Sequence, residues 1–225
     1  MEKVRVRLVL TEHTAKKQET SHGAHFRDFV QIMLCHAWII GMLEAELWSD
    51  IPDIAEASAL HDIGKNVMPP RLVNKKDELT NKDHKEMEQH TILGALCVDQ
   101  IIPELRGEDV YDYAQKICFH HHERINGRGY PLGLCGDEIP TYAQIVSLAD
   151  VYDALRSDRS YRKAIPPEKA ARMIYDEECG AFDPDLFDAF EPHLEEFRKM
   201  SLMLTDDPHR MESIQQRNIR KDSRR

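Results

Sequence analysis

A histidine or an aspartate falls on the apolar face of each of five predicted helices, and this pattern constrains the fold of the 225-residue chain more than any other. Apolar residues recur at steps of three and four, as on the buried face of an amphipathic helix. Burying several ionisable groups without partners would be costly, so the fold must supply a partner for them. The inward-facing residues reached by these steps are His25, His61, His90, His121 and Asp150.

A metal cluster is the partner that best fits this set of residues. A single histidine on an apolar face more often just satisfies its hydrogen bonds in the core. Five helices that present such residues together favour metal binding instead, and Asp62 and His122 directly follow His61 and His121. Imidazole and carboxylate donors without thiolate favour Fe, Mn, Zn or Co.

The distribution of apolar, proline and glycine residues predicts an all-α fold. Predicted helices cover about 20–48, 52–62, 81–102, 109–122, 141–157, 167–179 and 184–203. The segment 66–79 is predicted to be irregular, and the glycine-rich segment 124–140 to be a long ordered loop. We therefore expect one domain over 20–203, an N-terminal arm at 1–19 with a short strand near 3–10, and a polar C-terminal tail at 204–225.

Composition narrows the class of protein further. The formal net charge of −10 argues against binding a nucleic acid polymer. No stretch approaches the roughly 20 apolar residues that span a bilayer, and the charged start does not resemble a signal peptide. The five cysteines form no CxxC pair, which is typical of reduced thiols. We expect a cytoplasmic protein that does not bind membranes.

Four sequence motifs then carry a resemblance to a known family. The segment LHDIGK at 60–65 contains the adjacent pair His61-Asp62, and His90 follows. Next come HHERINGRGYP at 121–131, ADVYDAL at 149–155 and DRSYRK at 158–163. In this order the motifs resemble the HD-GYP subfamily of the HD metal-dependent phosphohydrolases, over about residues 20–190. The resemblance implies an HD-type multi-helix bundle with a metal site in its core and the GYP loop at its mouth.

The resemblance also implies roles for the residues at the motif positions. Asp62 would bridge the metals and Lys65 would lie near the bridging water, so both are expected to be catalytic. Ser21 stands one turn before His25, where three-metal members have a glutamate, so two divalent ions, Fe or Mn, are expected. The implied substrate-binding residues are Gly129, Tyr130, Arg159 and Arg162. The implied metal ligands are His25, His61, Asp62, His90, His121, His122 and Asp150.

The activity implied by the resemblance is hydrolysis of the messenger cyclic di-GMP to pGpG, to GMP or to both. The nucleophile would be a hydroxide that bridges the two metals. One alternative is an HD phosphohydrolase for another cyclic dinucleotide, such as cyclic GMP-AMP, or for a nucleotide. Another is a non-catalytic module that binds cyclic di-GMP. The expected partners are cyclic di-GMP and either a second copy of the chain or a signalling protein.

Overall fold

A computed structural model describes residues 21–39, 41–101, 109–157 and 162–194. These residues contain no β-strand, and the predicted all-α class is confirmed. No helix within them combines the length and the apolar character that crossing a bilayer requires. Their α-helices are α1 (Ser21–Ile39), α2 (Ile51–Ser58), α3 (Pro70–Val73), α4 (Asn81–Met87), α5 (Gln89–Ile101), α6 (Asp109–His120), α7 (Thr141–Arg156), α8 (Pro167–Tyr175) and α9 (Pro184–Phe190).

The helices pack around α7 and α2. Helix α2 lies against both α1 and α6, and α7 contacts α1, α6 and α8. Helix α5 packs on α6 and on the 3-10 helix Ile63–Val67. On α7 the side chains of Ile145, Leu148 and Tyr152 are completely buried, so this helix runs through the core. The arrangement brings α2, α5, α6 and α7 to one central region.

Local sequence accounts for several helix starts. Pro52 and Pro184 stand in the first turns of α2 and α9, where a proline costs no hydrogen bond. The Asp183 carboxylate accepts a hydrogen bond from the backbone N–H of Asp185 and caps α9. Helix α4 begins with a capping box formed by Thr80 and Asp83.

Two predicted helices are longer in the sequence-based prediction than in the structure. The first was expected to reach Trp48, but α1 ends at Ile39 and Gly41 adopts φ +79°, which stops a helix. The second was expected to reach Asp62, but α2 ends at Ser58. The chain continues in turns closed by i to i+3 hydrogen bonds, including that from the His61 N–H to the Ser58 carbonyl (3.2 Å).

The other predicted helices also differ from the structure, and α9, expected over 184–203, ends at Phe190, where a 3-10 turn over Glu191–His193 follows. The helix expected over 81–102 is divided by a turn at Glu88 into α4 and α5. Helices α6, α7 and α8 begin where predicted and end one to four residues early. The short helix α3 lies in the segment that was expected to be irregular. The predicted strand near 3–10, the arm at 1–19 and the tail at 204–225 lie outside the described residues, and the domain limits stay predictions.

Candidate metal centre

Four side chains from three parts of the chain meet in the core. Asp62, His90, His121 and His122 each offer one ligand atom, and these atoms all lie within 4.8 Å of one another. Asp62 comes from the turn after α2, His90 from the first turn of α5, and the histidine pair from the end of α6. The close packing of these helices therefore creates a cluster that could hold a metal ion.

His61 and Asp150 adjoin this cluster. The Nε2 atom of His61 lies 3.6 Å from Asp62 Oδ2 and 3.6 Å from Asp150 Oδ1. Asp150 projects from α7, so a further helix contributes a carboxylate. The structure thus brings together six of the seven residues that were predicted to be metal ligands, those at 61–62, 90, 121–122 and 150.

Hydrogen bonds to backbone carbonyls fix the orientation of three of the imidazoles. Nδ1 of His61 lies 2.8 Å from the Ser58 carbonyl, and Nδ1 of His90 lies 2.6 Å from the Met87 carbonyl. Nδ1 of His121 lies 3.0 Å from the Ile117 carbonyl. Because a carbonyl can only accept, each Nδ1 must carry the hydrogen and donate it. In the neutral ring the lone pair is then on Nε2, the arrangement common to metal-binding histidines.

The geometry inside the cluster fits a bound cation. The Nε2 atoms of His90 and His121 are only 3.3 Å apart, and two lone pairs at this distance repel unless a cation lies near both. Oδ1 of Asp62 is buried without a hydrogen-bond donor, 3.4 Å from the Nε2 atom of His90 and 3.9 Å from that of His121. A divalent metal would satisfy all three atoms, and imidazole with carboxylate suits such an ion.

Burial and neighbouring charge keep most of these histidines neutral. Burial, together with the nearby His61, lowers the pKa of His121 to about 3, and burial also lowers the pKa values of His90 and His122. Burial acts in the same direction on His61, but the carboxylates of Asp62 and Asp150 outweigh it and raise the pKa of His61 to about 9. At neutral pH His90, His121 and His122 therefore offer free lone pairs.

Lys65 lies at the edge of the cluster and is about one-third exposed. Its Nζ atom donates a 2.6 Å hydrogen bond to Oδ2 of Asp62, the oxygen that does not face His90. The residue belongs to the 3-10 helix Ile63–Val67, which follows the HD pair directly. Lys65 was expected near a metal-bridging water; the structure places it beside Asp62, and its catalytic role stays a prediction.

The GYP loop closes over the histidine pair. The ring of Tyr130 lies against that of His122, with centroids 4.7 Å apart and planes tilted by 31°, and the Tyr130 N–H donates to the His122 carbonyl (3.2 Å). Gly129 permits this approach, because a Cβ there would lie 2.4 Å from the backbone nitrogen of Arg124. The loop predicted to shape a pocket thus forms a wall of the metal cluster.

Sequence reasoning missed the residue that anchors this loop. The buried carboxylate of Glu123 accepts hydrogen bonds from the backbone N–H groups of Leu132 (2.7 Å) and Leu134 (2.9 Å). Both bonds span about ten residues, so one side chain holds the loop beside α6. A signal was present, since Glu123 directly follows the histidine pair, but helical periodicity does not identify a residue that binds backbone outside its helix.

Arg162, His25 and Arg159 complete the set of predicted site residues. Arg162 uses its guanidinium to donate to the carbonyls of Ala154 (3.0 Å) and Leu155 (3.2 Å) at the end of α7, so part of its donor capacity is used within the protein. His25 belongs to α1, but its side chain lies outside the described part of the structure, as does the whole of Arg159. The proposed roles of all three residues stay predictions.

Comparison with known proteins agrees with this geometry. The chain matches the HD domain family model over residues 37–186. It is 36% identical over 162 residues to a probable cyclic di-GMP phosphodiesterase of Vibrio cholerae, covering 71% of this chain and 36% of the relative. It is 31% identical over 192 residues to 3'3'-cGAMP-specific phosphodiesterase 2 of the same organism, covering 85% of this chain and 35% of the relative.

A solved structure supports the fold. Bd1817, an HDG"Y"P protein from Bdellovibrio bacteriovorus, matches with a TM-score of 0.57 at 22% identity, over 76% of this chain and 51% of that protein. The chain spans only about a third of the length of the two curated relatives described above. The expected resemblance to HD-GYP proteins and the HD-type helical fold are confirmed. Because the family model matches well over half of its length, the chain belongs to the HD domain family.

Proposed function

We propose that the chain is a metal-dependent phosphodiesterase that hydrolyses cyclic di-GMP to pGpG, to GMP or to both. The observation that carries the proposal is the convergence of two Nε2 lone pairs and one unpaired carboxylate oxygen, from His90, His121 and Asp62, at a single buried point. The relative from Vibrio cholerae that is 36% identical is named a probable cyclic di-GMP phosphodiesterase, and this supports the choice of substrate.

The proposed site would hold two divalent metal ions, Fe or Mn. Asp62 is suited to contact both, because its Oδ1 faces His90 and His121 while its Oδ2 faces His61. The ions, when bound, would polarise the phosphoryl oxygens and lower the pKa of a coordinated water. The residues that would hold them are His61, Asp62, His90, His121, His122 and Asp150, with His25 as a further predicted ligand.

Three kinds of residue would act on the substrate itself. The ammonium group of Lys65 would stabilise negative charge that develops on the scissile phosphate, because it already lies within hydrogen-bond reach of Asp62 at the edge of the cluster. Tyr130 and Gly129 would form the wall against which a base packs. Arg159 and Arg162 would bind the second phosphate through charge-assisted hydrogen bonds.

A second substrate is favoured by one comparison. The relative that matches 85% of this chain is named a 3'3'-cGAMP-specific phosphodiesterase, so a cyclic dinucleotide with one adenine is the alternative substrate. Both molecules present the same phosphodiester to the cluster and differ only in a base. We also propose that the domain works in the cytoplasm, because its five free thiols suit a reducing compartment.

The proposal is tested with protein purified without oxygen and loaded with Fe(II) or Mn(II). Cyclic di-GMP, cyclic GMP-AMP and pGpG are then offered separately, and products are separated by chromatography. We expect cleavage of at least one cyclic dinucleotide only when metal is present. Metal-loaded protein that binds cyclic di-GMP without cleaving it would instead identify a binding module.

Asp62→Ala is the decisive variant. We expect its metal-dependent turnover to fall by more than the roughly 100-fold that loss of an outer metal-site partner causes, because this carboxylate faces both halves of the cluster. Its metal content, measured by elemental analysis, should fall as well. Asp77→Ala, at an exposed aspartate away from the cluster, serves as the control. Full activity in Asp62→Ala would overturn the assignment.

A further inference from the structure

Arg124 is a partly buried cation next to the candidate metal centre, and it has no role in the proposed mechanism. It lies two residues after His122, and its side chain turns back toward α7. It forms no ion pair with a carboxylate in the described part of the chain, and burial lowers its pKa. A partly buried guanidinium without a carboxylate partner needs other hydrogen-bond acceptors.

The groups that hold it come from both sides of the site. Its Nη1 atom donates to the Glu123 carbonyl (2.8 Å) and, at 3.3 Å, to the His121 carbonyl at the end of α6. The same nitrogen, whose two hydrogens are shared among these three acceptors, donates to the buried hydroxyl of Ser147 on α7, at 2.6 Å. One nitrogen therefore joins the segment that carries the paired histidines to the helix that carries Asp150.

Phe182 and Gly180 also lie against the Arg124 side chain. Its Cζ atom lies 4.8 Å from the centroid of the Phe182 ring, within the range of a cation–π interaction. Gly180 adopts φ +107°, and a Cβ at that position would lie 2.5 Å from Nε of Arg124. The backbone at Gly180 thus leaves room for the Arg124 side chain, and a residue larger than glycine at this position would collide with it.

The hydrogen bond from Arg124 to Ser147 lies close to the candidate metal ligand Asp150. Ser147 precedes Asp150 by three residues, so the two side chains lie on the same side of α7, one turn apart. A shift of α7 along its axis or a rotation about it would move both together. Whatever fixes Ser147 against the end of α6 also fixes the distance between Asp150 and the histidine pair.

We propose that Arg124 is a positioning residue that sets the geometry of the metal ligands by joining the end of α6 to α7 one turn before Asp150. The inference rests on the proposed function for the identity of the ligands. It assigns Arg124 no contact with the substrate. Arginine suits this role because its rigid planar fork can donate to several acceptors while its face packs on an aromatic ring.

The test measures metal binding directly, with Mn(II) as the probe. Free Mn(II) is quantified by electron paramagnetic resonance during titration of the full metal-free chain. We expect Arg124→Met to weaken Mn(II) binding by about 10–100-fold, as loss of an outer-shell partner does. Arg128→Met, at an exposed arginine of the same loop, should bind as the wild type does.

Unfolding of the metal-free variants separates positioning from general stability. A variant that loses stability but keeps wild-type Mn(II) affinity would overturn the inference. If Arg124→Met does not fold, Arg124→Lys and Ser147→Ala take its place, and each is expected to weaken Mn(II) binding several-fold. Wild-type affinity in both would also overturn it. Cyclic dinucleotide cleavage is assayed in parallel, and a wild-type protein that binds Mn(II) without cleavage refutes the proposed function alone.

Discussion

At Gly64 the neighbouring backbone of α5 leaves no space for a side chain. A Cβ at this position would lie 2.0 Å from the carbonyl oxygen of His90 and 2.5 Å from the backbone nitrogen of Gly94. The 3-10 helix that carries Lys65 therefore touches the backbone of α5 directly. This close approach brings the HD pair within reach of His90.

We accordingly expect Gly64→Ala to damage both the fold and the site. The methyl group meets backbone, which cannot rotate away, so the free energy of unfolding should fall by about 1–3 kcal/mol or more. Urea denaturation of the metal-free protein measures this change. Gly94→Ala is the comparison and should cost less, because its Cβ would meet the Cβ of Cys118 at 3.2 Å, an overlap that a shift of a few tenths of an ångström relieves. An unchanged urea midpoint in Gly64→Ala would contradict the contact.

Site residues could be predicted from the sequence where an ionisable residue stands on an otherwise apolar helix face. Histidines and aspartates on apolar faces stand out because such positions normally hold apolar side chains, and the structure brings His61, His90, His121 and Asp150 together. Gly64, by contrast, lies just past the end of the helix predicted over 52–62, and nothing in the pattern of apolar residues indicates the backbone contact that it permits. Long-range packing of this kind leaves no periodic signal, so sequence reasoning could not supply it.

At the scale of elements, the GYP loop is attached to the segment after α6 by hydrogen bonds to a single side chain. Glu123 accepts both backbone N–H groups of Leu132 and Leu134, while Tyr130 packs on His122. The loop is therefore attached to the same short segment that carries the paired histidines. Loss of the Glu123 carboxylate should therefore disturb Tyr130 and the proposed substrate wall more than the proposed metal ligands.

Glu123→Gln tests this attachment. The amide would place an N–H group against one of the backbone donors, leaving a hydrogen bond unmade at a cost of about 1–3 kcal/mol. We expect faster hydrogen exchange at the amides of Leu132 and Leu134, a raised KM and little change in metal content. Glu138→Gln, which affects an exposed bond to the Cys135 N–H, should have a smaller effect. Unchanged exchange at both leucines would contradict the anchor.

Helix limits were less predictable than helix identity. Apolar periodicity continues past Gly41 to Trp48, yet α1 ends at Ile39, since a local conformation with φ +79° outweighs the pattern. The break between α4 and α5, unlike the one at Gly41, has no proline or glycine near it to indicate that a helix ends. The Thr91 hydroxyl donates to the Glu88 carbonyl (2.9 Å) there, which shows local bonding that periodicity does not report.

At the scale of the whole molecule, the metal cluster draws on four separated segments of the chain. They lie at 61–62 in the turn after α2, at 90 in α5, at 121–122 in the turn that directly follows α6, and at 150 in α7. An unfolded chain does not hold these donors together. Binding of a metal at this site is consequently coupled to the folding of the entire bundle.

This coupling predicts a metal-dependent stability. At a Mn(II) concentration of about 100 times Kd, the folded protein should gain roughly 2.7 kcal/mol, and Tm should rise. Differential scanning calorimetry with and without a chelator measures the shift. Asp62→Ala should lose most of it, whereas Asp77→Ala should keep it. A Tm that does not respond to Mn(II) in the wild type would argue against a metal centre built by the fold.

The hydrogen bonds that orient His61, His90 and His121 have a consequence for how such a site persists through evolution. Each imidazole is held by a carbonyl three or four residues earlier in its own segment. A backbone carbonyl is present whatever side chain occupies that position. Substitutions can therefore accumulate around these histidines without a compensating change elsewhere, and the tautomers they need are inherited with the local backbone.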